Sequence, residues 1–186
     1  MGIVRVSTTL SLDGYMAGPN HEMDWVFDHA GDASPELIQE LIDTTGAILS
    51  GRGSYDVGRG STRQETSGPF GGRWSGPQFV LMHDPPDDEQ DESITFLSGD
   101  IRDAVATARE AAGERNVLIL GANVANQALD AGLVDDYVLV LLPVILGDGI
   151  PLFPAGRERV DLAPIDISRS GQVVTLRYGV SAQPAA

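Results

Sequence analysis

Apolar positions along the chain fall into short strand-like runs separated by helical patterns. Strand-like runs cover residues 3–10, 47–50, 77–83, 93–98, 116–121 and 134–144. Helical patterns cover residues 34–46, 100–114 and 122–132. Ser34 followed by Pro35 is typical of a helix start, and Gly46 is a stop signal. Two more strand-like runs flank Gly171 and predict a closing hairpin.

This order of elements predicts an α/β protein. Strands that alternate with helices form a mostly parallel sheet with helices on both faces, and the closing hairpin adds an antiparallel edge. We expect one three-layer α/β/α domain over residues 1–186, with 181–186 as a frayed tail. Residues 11–25 read as a long loop of the kind that is often functional, and the glycine-rich residues 60–76 read as a mobile excursion.

Composition narrows the classes of protein and of chemistry. The 186 residues carry a net charge of −15, which argues against a nucleic-acid partner. The longest apolar stretch is too short to cross a bilayer and no signal-peptide pattern precedes Ile3, so we expect a cytoplasmic protein without a membrane partner. The absence of cysteine excludes thiolate chemistry, and the absence of lysine excludes Schiff-base catalysis and a P-loop lysine. Any phosphate must therefore be held by arginine, hydroxyls or backbone N–H groups.

The turn GRGSYD at residues 51–56 follows an apolar run and could bind phosphate. The dinucleotide-binding fingerprint G-x-G-x-x-G requires a glycine at its sixth position. Counted from Gly51, that position is Asp56, so the fingerprint fails. Arg52 offers a guanidinium group and Ser54 a hydroxyl, beside a helix predicted to start near Ser54. A helix N-terminus next to an arginine favours phosphate binding. The alternative is a plain strand–helix turn with an exposed arginine.

A second glycine-led turn occurs where the run LIL reaches Gly121 and a helix opens at once. In a parallel sheet, the carboxyl ends of strands and the helix N-termini that follow them meet along one edge. The two turns could therefore hold the two ends of one extended phosphate ligand. Ordinary strand–helix connection chemistry is the alternative.

Acidic side chains are the candidate proton donors, and histidine side chains are the candidate metal ligands. Asp24 beside Trp25 could place a proton donor next to a stacking surface, and Glu36 is a second candidate acid. The alternatives are that Glu36 favours the helix dipole and that Trp25 belongs to the core. The three histidines, His21, His29 and His83, are not at metal-ligand spacing, and we predict no metal site.

Three segments in this order resemble the dihydrofolate-reductase-like superfamily: TTLSLDGYMAG, AILSGRGSYD and VLILGANVANQALDAGLVDDYVLVLLPVILGDGIPLF. Within it they are most similar to the reductase domain at the C-terminus of the bifunctional riboflavin-biosynthesis protein. The resemblance spans residues 3–180 and implies a three-layer reductase that binds NADPH and delivers hydride to a pterin, pyrimidine or related ring. Members that resemble the riboflavin enzyme reduce a ribosylamino-pyrimidine to its ribitylamino form.

The resemblance also implies a set of cofactor-binding residues. Arg52, Gly53 and Ser54 match the segment that holds the adenosine phosphates. Gly121, Ala122, Asn123 and Val124 match the segment under the pyrophosphate and nicotinamide ribose, where Ala122 replaces a frequent second glycine. Met16 and Ala17 match the loop along the nicotinamide, and Leu81 and Met82 fall where the adenine side is lined.

The sequence therefore predicts a stand-alone NADPH-dependent reductase that acts on a small heterocyclic substrate, with Asp24 or Glu36 as proton donor. Alternatives are a reductase of dihydrofolate or another small molecule, and a fold relative that binds a nucleotide without catalysis. We expect a homodimer, because the run YVLVLLPVIL from Tyr137 is more hydrophobic than the edge strand of a small monomer requires. The alternative is that this run is a central buried strand.

Overall fold

The computed structural model describes residues 2–60, 68–86 and 89–181. Within these ranges the helices are α1 (Asp24–Phe27), α2 (Pro35–Thr44), α3 (Arg52–Gly60), α4 (Ile101–Ala112) and α5 (Ala122–Asp130). The strands are β1 (Val4–Leu10), β2 (Tyr15–Ala17), β3 (Thr45–Gly51), β4 (Gln78–Leu81), β5 (Ile94–Leu97), β6 (Asn116–Leu120), β7 (Asp136–Leu141), β8 (Ile150–Pro151), β9 (Leu162–Ser170) and β10 (Val173–Val180).

Eight strands form one sheet in the order β5-β4-β3-β6-β1-β7-β10-β9, and β2 pairs with β8 separately. Strands β1 and β3 to β7 run parallel, whereas β10 is antiparallel to both of its neighbours. The helices supply crossovers between parallel strands, which a tight turn cannot do. The predicted α/β fold, with a mostly parallel sheet and an antiparallel C-terminal hairpin, is confirmed.

Helices cover both faces of this sheet. On one face, α4 and α5 bury small and branched residues such as Ala108 and Val124 against Leu49 and Ile119. On the other face, Trp74 packs on Ile48 and Leu118, with Ile42 of α2 beside them. Tyr55 of α3 packs on Val80 and Met82 of the same face. Alternate strand residues thus point into two separate cores, which is the pattern of a three-layer fold.

The first long helix starts as predicted but ends earlier. The Ser34 hydroxyl accepts a hydrogen bond from the backbone N–H of Leu37 at 3.2 Å, which is an N-cap contact, and Pro35 is the first helical residue. Gly46 does not cap the helix, because it already belongs to β3. A Cβ atom on Gly46 would lie 2.5 Å from the carbonyl oxygen of Ala112, so this position serves the close approach of β3 to α4.

Two segments expected to be irregular contain regular structure. Residues 11–25 include β2 and the start of α1. Helix α3 continues through Gly58 and Arg59 to Gly60, the first residue of the predicted 60–76 excursion. Residues 68–73 form turns, with Phe70 at φ 54°. The rest of the predicted excursion, residues 61–67, and the predicted tail from 182 onward lie outside the described residues.

The strand that suggested a dimer is an interior strand. β7 pairs with β1 on one side and β10 on the other, and Tyr137 and Val138 are buried. Its hydrophobicity is therefore explained by burial within the sheet. Of the two interpretations of this run, the central buried strand is the one observed, and the homodimer stays a prediction. Exposed apolar side chains lie instead on the edge strand β9, at Ile165 and Ile167.

The described part of the chain contains neither a membrane-spanning helix nor a metal-binding cluster. No helix there combines the length and apolar character that a bilayer crossing requires. The same residues contain no cluster of three or more histidine and carboxylate side chains that could hold a metal ion.

Candidate functional site

A cavity of about 990 Å³ opens along the carboxyl ends of the parallel strands. All eleven residues predicted to bind the cofactor line it. Met16 and Ala17 come from β2, residues 52–54 from α3, Leu81 and Met82 from β4 and the residue after it, and residues 121–124 from the start of α5. The carboxyl edge of an open α/β sheet is the usual place for a ligand.

The two glycine-led turns are neighbours that fit into one another. β3 and β6 are adjacent parallel strands, with Ser50 paired to Leu120. Gly121 has φ +92°, and a Cβ atom there would lie 2.5 Å from the Ser54 hydroxyl oxygen. A Cβ atom on Gly51 would lie 3.0 Å from a methyl group of Val124. Each turn therefore needs a glycine where the other turn places a side chain, and the expected convergence of the two turns is observed.

Both turns direct helix N-termini toward the cavity. α3 begins at Arg52, two residues before the predicted start, and α5 begins at Ala122 without a side-chain cap. The first N–H groups of a helix have no partner within the helix, and together with the helix dipole they attract anions. The cradle formed by residues 51–54 and 121–124 therefore suits the phosphates of an extended nucleotide.

Arg52 lies at the mouth of this cradle. Its side chain is 64% exposed, and its Nε lies 3.3 Å from a carboxylate oxygen of Asp56 one helical turn on. A second cavity of about 370 Å³ is also lined by Arg52, together with Tyr55 and Arg59 of the same helix. Because the guanidinium group borders both cavities, it can reach a phosphate at the outer end of a ligand in the larger one.

The loop that carries Met16 is anchored by Asp13. Its carboxylate accepts hydrogen bonds from the Ser11 hydroxyl at 2.6 Å and from the backbone N–H groups of Gly147 and Leu146 at 2.8 and 3.1 Å. These bonds, that from Ser11 first, lower the pKa of Asp13 below its ordinary value. The turn between β1 and β2 is thus tied to the loop after β7, which holds β2 at the cavity wall.

The predicted acids lie elsewhere. Asp24 and Glu36 are exposed, and neither is among the residues that line the cavity. Hydrogen bonds from its own backbone N–H and from the Ser34 hydroxyl lower the pKa of Glu36, which suits a helix start and opposes proton donation at neutral pH. Neither acid is thus placed beside a ligand in the cavity, and their role as proton donors stays a prediction.

Trp25, the predicted substrate-binding residue, also lies outside the cavity lining. It is half-buried, and its indole N–H has no hydrogen-bond partner among the described residues. Its role as a stacking surface stays a prediction.

His21 is a cavity residue that the sequence interpretation left in a loop. It lines the cavity and has φ +64°, next to Asn20 at φ +58°. Its imidazole occupies the space above Gly53, where a Cβ atom would lie 3.1 Å from Cε1 of His21. Spacing could not indicate this contact, because residues 21 and 53 meet only when the first loop folds over α3.

Four hydroxyl residues of the sheet line the other end of the cavity and were also missed: Ser7, Thr8, Thr9 and Thr175. They stand on β1 and β10, opposite the aliphatic residues Leu37, Ile38 and Leu41 of α2. In the sequence these residues look like ordinary strand positions, since their proximity depends on the pairing of β1, β7 and β10.

Comparison with known proteins places the chain in a family. Residues 3–176 match the RibD C-terminal domain. The chain is 27% identical over 176 residues to the uncharacterized protein YwjB of Bacillus subtilis (strain 168), a match that covers 91% of this chain and 92% of YwjB. The fold and the match together show that the chain belongs to the RibD C-terminal domain family.

Solved structures agree with this fold. A candidate riboflavin biosynthesis protein from Shewanella sp. PV-4 superposes with a TM-score of 0.74 at 22% identity, covering 96% of this chain and 99% of that one. Dihydrofolate reductase from Enterococcus faecalis, solved with NADP(H), gives a TM-score of 0.59 at 14% identity, covering 96% of both chains. The fold is therefore that of the dihydrofolate-reductase-like proteins, as the sequence predicted.

Proposed function

We propose that this protein is an NADPH-dependent reductase that transfers hydride to a pyrimidine- or pterin-type heterocycle. The reaction resembles that of 5-amino-6-(5-phosphoribosylamino)uracil reductase in riboflavin biosynthesis. The observation that carries the proposal is the single cavity that gathers all eleven residues predicted to bind the cofactor. Its volume of about 990 Å³ lies at the upper end of the usual range for small-molecule sites, about 300–1,000 Å³.

The residues present fit a dinucleotide. Gly121 leaves open a cradle that a Cβ atom would close, and two helix N-termini face it. In the proposed complex, the N–H groups of residues 52–54 and 121–124 hold the phosphates, and Arg52 pairs with the 2′-phosphate that distinguishes NADPH from NADH. Met16 and Ala17 lie along the nicotinamide, and Leu81 and Met82 line the adenine side.

When bound, NADPH supplies the hydride from nicotinamide C4 to a carbon–nitrogen double bond, or to a ring-opened sugar imine, of the acceptor. The protein holds the two rings in contact and excludes water with the apolar wall of α2. Neither Asp24 nor Glu36 lines the cavity, so in this proposal the nitrogen of the reduced double bond takes its proton from solvent.

Cofactor titration tests the proposal. Calorimetry with NADPH and NADH on the unmodified protein is expected to show tighter NADPH binding. Arg52→Ala is expected to weaken NADPH binding by about tenfold, the size of one charge-assisted contact, and to leave NADH binding within about twofold. Arg102→Ala, an exposed arginine on α4, is the matched control and is expected to change neither affinity.

The outcomes separate the alternatives. Equal loss of both affinities in Arg52→Ala contradicts the role of Arg52, and failure of the unmodified protein to bind NADPH contradicts the proposed function. NADPH oxidation is then followed with pyrimidine, pterin and dihydrofolate substrates. If NADPH binds tightly but is not oxidised in the presence of any of these substrates, the protein is a non-catalytic nucleotide-binding protein. If NADPH is oxidised only in the presence of dihydrofolate, the protein is a folate reductase.

A further inference from the structure

The segment that begins with β8 runs from the cavity wall to the back of α5, and we call residues 150–157 the strap. At its start, Ile150 lines the cavity and pairs with Ala17 of β2. The backbone N–H of Leu152 donates to the carbonyl oxygen of Gly14 at 3.1 Å, so the strap also holds the turn before β2. Because these contacts bracket β2, the strap fixes the nicotinamide wall, the side of the cavity that is proposed to lie along the nicotinamide.

One side chain of α5 joins the strap to the cradle. The amide nitrogen Nδ2 of Asn126 donates to the carbonyl oxygen of Ala122 and to that of Leu152, at 2.7 Å each. Ala122 belongs to the cradle and lines the cavity, whereas Leu152 belongs to the strap and is buried. An amide NH₂ group has two hydrogens, which supply one bond to the cradle and one to the strap.

Arg157, at the end of the strap, orients this amide. Its Nη2 donates to Oδ1 of Asn126 at 2.7 Å, and its Nη1 donates to a carboxylate oxygen of Asp130, one helical turn further on, at 2.6 Å. Because Oδ1 of Asn126 accepts from the guanidinium group, Nδ2 points toward the two carbonyl oxygens. The planar guanidinium group makes both bonds at once, so the strap cannot slide along α5 without breaking one of them.

The side chain of Arg157 lies under the strap rather than in solvent. It is 15% exposed, against 85% for Arg159 two residues later. Next to it, Phe153 of the strap packs edge-on against the buried Tyr137 of β7, with ring centroids 5.7 Å apart. Burying a guanidinium group costs desolvation free energy that an exposed arginine avoids, so Arg157 is better suited to fixing a geometry than to adding stability.

The two walls that Asn126 joins belong to different sheets. The cradle follows β3 and β6 of the eight-stranded sheet, whereas the described strands β2 and β8 pair only with each other. Strand pairing therefore does not set the spacing between the cradle and the nicotinamide wall. Side-chain contacts such as those of Asn126 contribute to that spacing.

We infer that Asn126 and Arg157 are positioning residues, which set the spacing between the cradle and the nicotinamide wall and so place the nicotinamide of a bound cofactor against the acceptor. This inference rests on the proposed function, because the proposed cofactor spans both walls. Neither residue lines the cavity, so their effect passes through Ala122 and Leu152. Hydride transfer needs the two rings in contact, and a displacement of about 1 Å can lower a rate by about a hundredfold.

Two ligands separate positioning from a general loss of stability. NADPH spans both walls, whereas adenosine 2′,5′-bisphosphate has the adenosine and phosphates of NADPH without its nicotinamide. Calorimetric titration of each variant with both ligands gives the ratio of the two affinities. Asn126→Leu, which roughly keeps the side-chain shape, and Arg157→Met are each expected to weaken NADPH binding by about tenfold. Their binding of the bisphosphate is expected to stay within about twofold of that of the unmodified protein.

The fluorescence of the reduced nicotinamide gives a second readout. At saturation, the fluorescence anisotropy of bound NADPH is expected to be lower in both variants, because the nicotinamide ring is held less firmly. A purely structural role of the two residues would lower the melting temperature without changing the affinity ratio or this anisotropy.

Gln39→Leu and Arg159→Met are the matched controls. Gln39 is an exposed amide on α2, Arg159 is an exposed arginine two residues beyond the strap, and neither lines the cavity. Both controls are expected to keep the two affinities within about twofold of those of the unmodified protein.

The inference is overturned, and the proposed function stands, if Asn126→Leu and Arg157→Met bind NADPH as tightly as the unmodified protein, or if they lose affinity for both ligands equally. If Asn126→Leu does not fold, Arg157→Met decides by the same criteria, because it leaves behind only the carboxylate of Asp130, which is 67% exposed, and the amide of Asn126. If the unmodified protein does not bind NADPH, the proposed function is contradicted and the inference falls with it.

Discussion

At one end of the cavity, which we call the phosphate end after its proposed ligand, the lining comes from two unbroken segments, residues 51–54 and 121–124. The opposite end, which we call the ring end after the proposed hydride acceptor, is assembled from single residues of separate elements: Ser7 and Thr9 of β1, Val140 of β7, Thr175 of β10 and Leu37, Ile38 and Leu41 of α2. The first construction depends on local backbone geometry, a strand that turns into a helix at a glycine. The second depends on how β1, β7 and β10 pair and on where α2 lies above them. The two ends should therefore respond to different kinds of substitution.

The largest effect is expected under the ring end, at the ion pair that joins β1 to β7. Arg5 and Asp136 are 3% and 5% exposed in their side chains, so removing one charge leaves the other buried. Asp136→Asn is expected to lower the free energy of unfolding by about 3–5 kcal/mol, measured by urea denaturation. Below the unfolding transition, NADPH affinity should change little, because the phosphate end does not contact this pair.

Asp161→Asn is the control for Asp136→Asn. Its partner Arg159 lies 2.7 Å away, but the two side chains are 85% and 70% exposed, so water solvates both charges. The expected change in the free energy of unfolding is below about 1 kcal/mol. A similar loss of unfolding free energy in Asp136→Asn and Asp161→Asn would show that burial does not determine how strongly the Arg5–Asp136 pair stabilises the fold.

The next largest effect is expected at the phosphate end, at Gly121. A valine there must leave φ +92° or accept strain of about 1–2 kcal/mol, and its Cβ collides with the Ser54 hydroxyl. Gly121→Val is expected to weaken NADPH binding by about tenfold to thirtyfold, since 1.4 kcal/mol corresponds to a factor of ten. Calorimetric titration of NADPH measures this loss.

Gly132→Val separates backbone strain from crowding. Gly132 has φ +70°, but a Cβ atom there would have no heavy atom within 4 Å, and the residue lies outside the cavity lining. We expect this variant to lose stability while NADPH affinity stays within about twofold. An equal loss of NADPH affinity in both variants would mean that the fit between the two turns is unimportant.

This contrast explains which parts of the site could be predicted from the sequence. Gly121 and the apolar strand before it are contiguous, so a local pattern indicated both the turn and its position at the sheet edge. Thr9 and Thr175 are 166 residues apart and meet across β7, so no local pattern reports their proximity. The exposure of Asp24 was unpredictable for the same reason. Its environment depends on how the first loop folds, and only the folded chain shows that it faces solvent.

A smaller effect is expected where the first loop meets the phosphate end. Gly53→Ala places a methyl group 3.1 Å from Cε1 of His21, which must shift. NADPH binding is expected to weaken by about threefold to tenfold, which corresponds to about 0.7–1.4 kcal/mol. The double variant His21→Gly with Gly53→Ala removes the collision and also relieves the left-handed backbone of residue 21. Recovery of the affinity to within about twofold in the double variant would show that space is the reason. Continued weakness would mean that the imidazole itself contacts the ligand.

The smallest effect on either end of the cavity is expected from the edge strand β9, on which we place the proposed homodimer contact. Ile165 and Ile167 are 55% and 63% exposed on a strand that is paired on one side only, within the described sheet. Such an edge can pair with its copy in a second chain. Ile167→Asp is expected to shift the protein toward monomer in sedimentation velocity, with NADPH affinity unchanged within about twofold. Ile145→Asp, at a 73% exposed apolar residue outside β9, is expected to leave the association unchanged. The contact is contradicted if the unmodified protein is a monomer, or if Ile167→Asp and Ile145→Asp dissociate the dimer equally. If dissociation of the dimer changes the NADPH affinity, the cavity depends on the second chain.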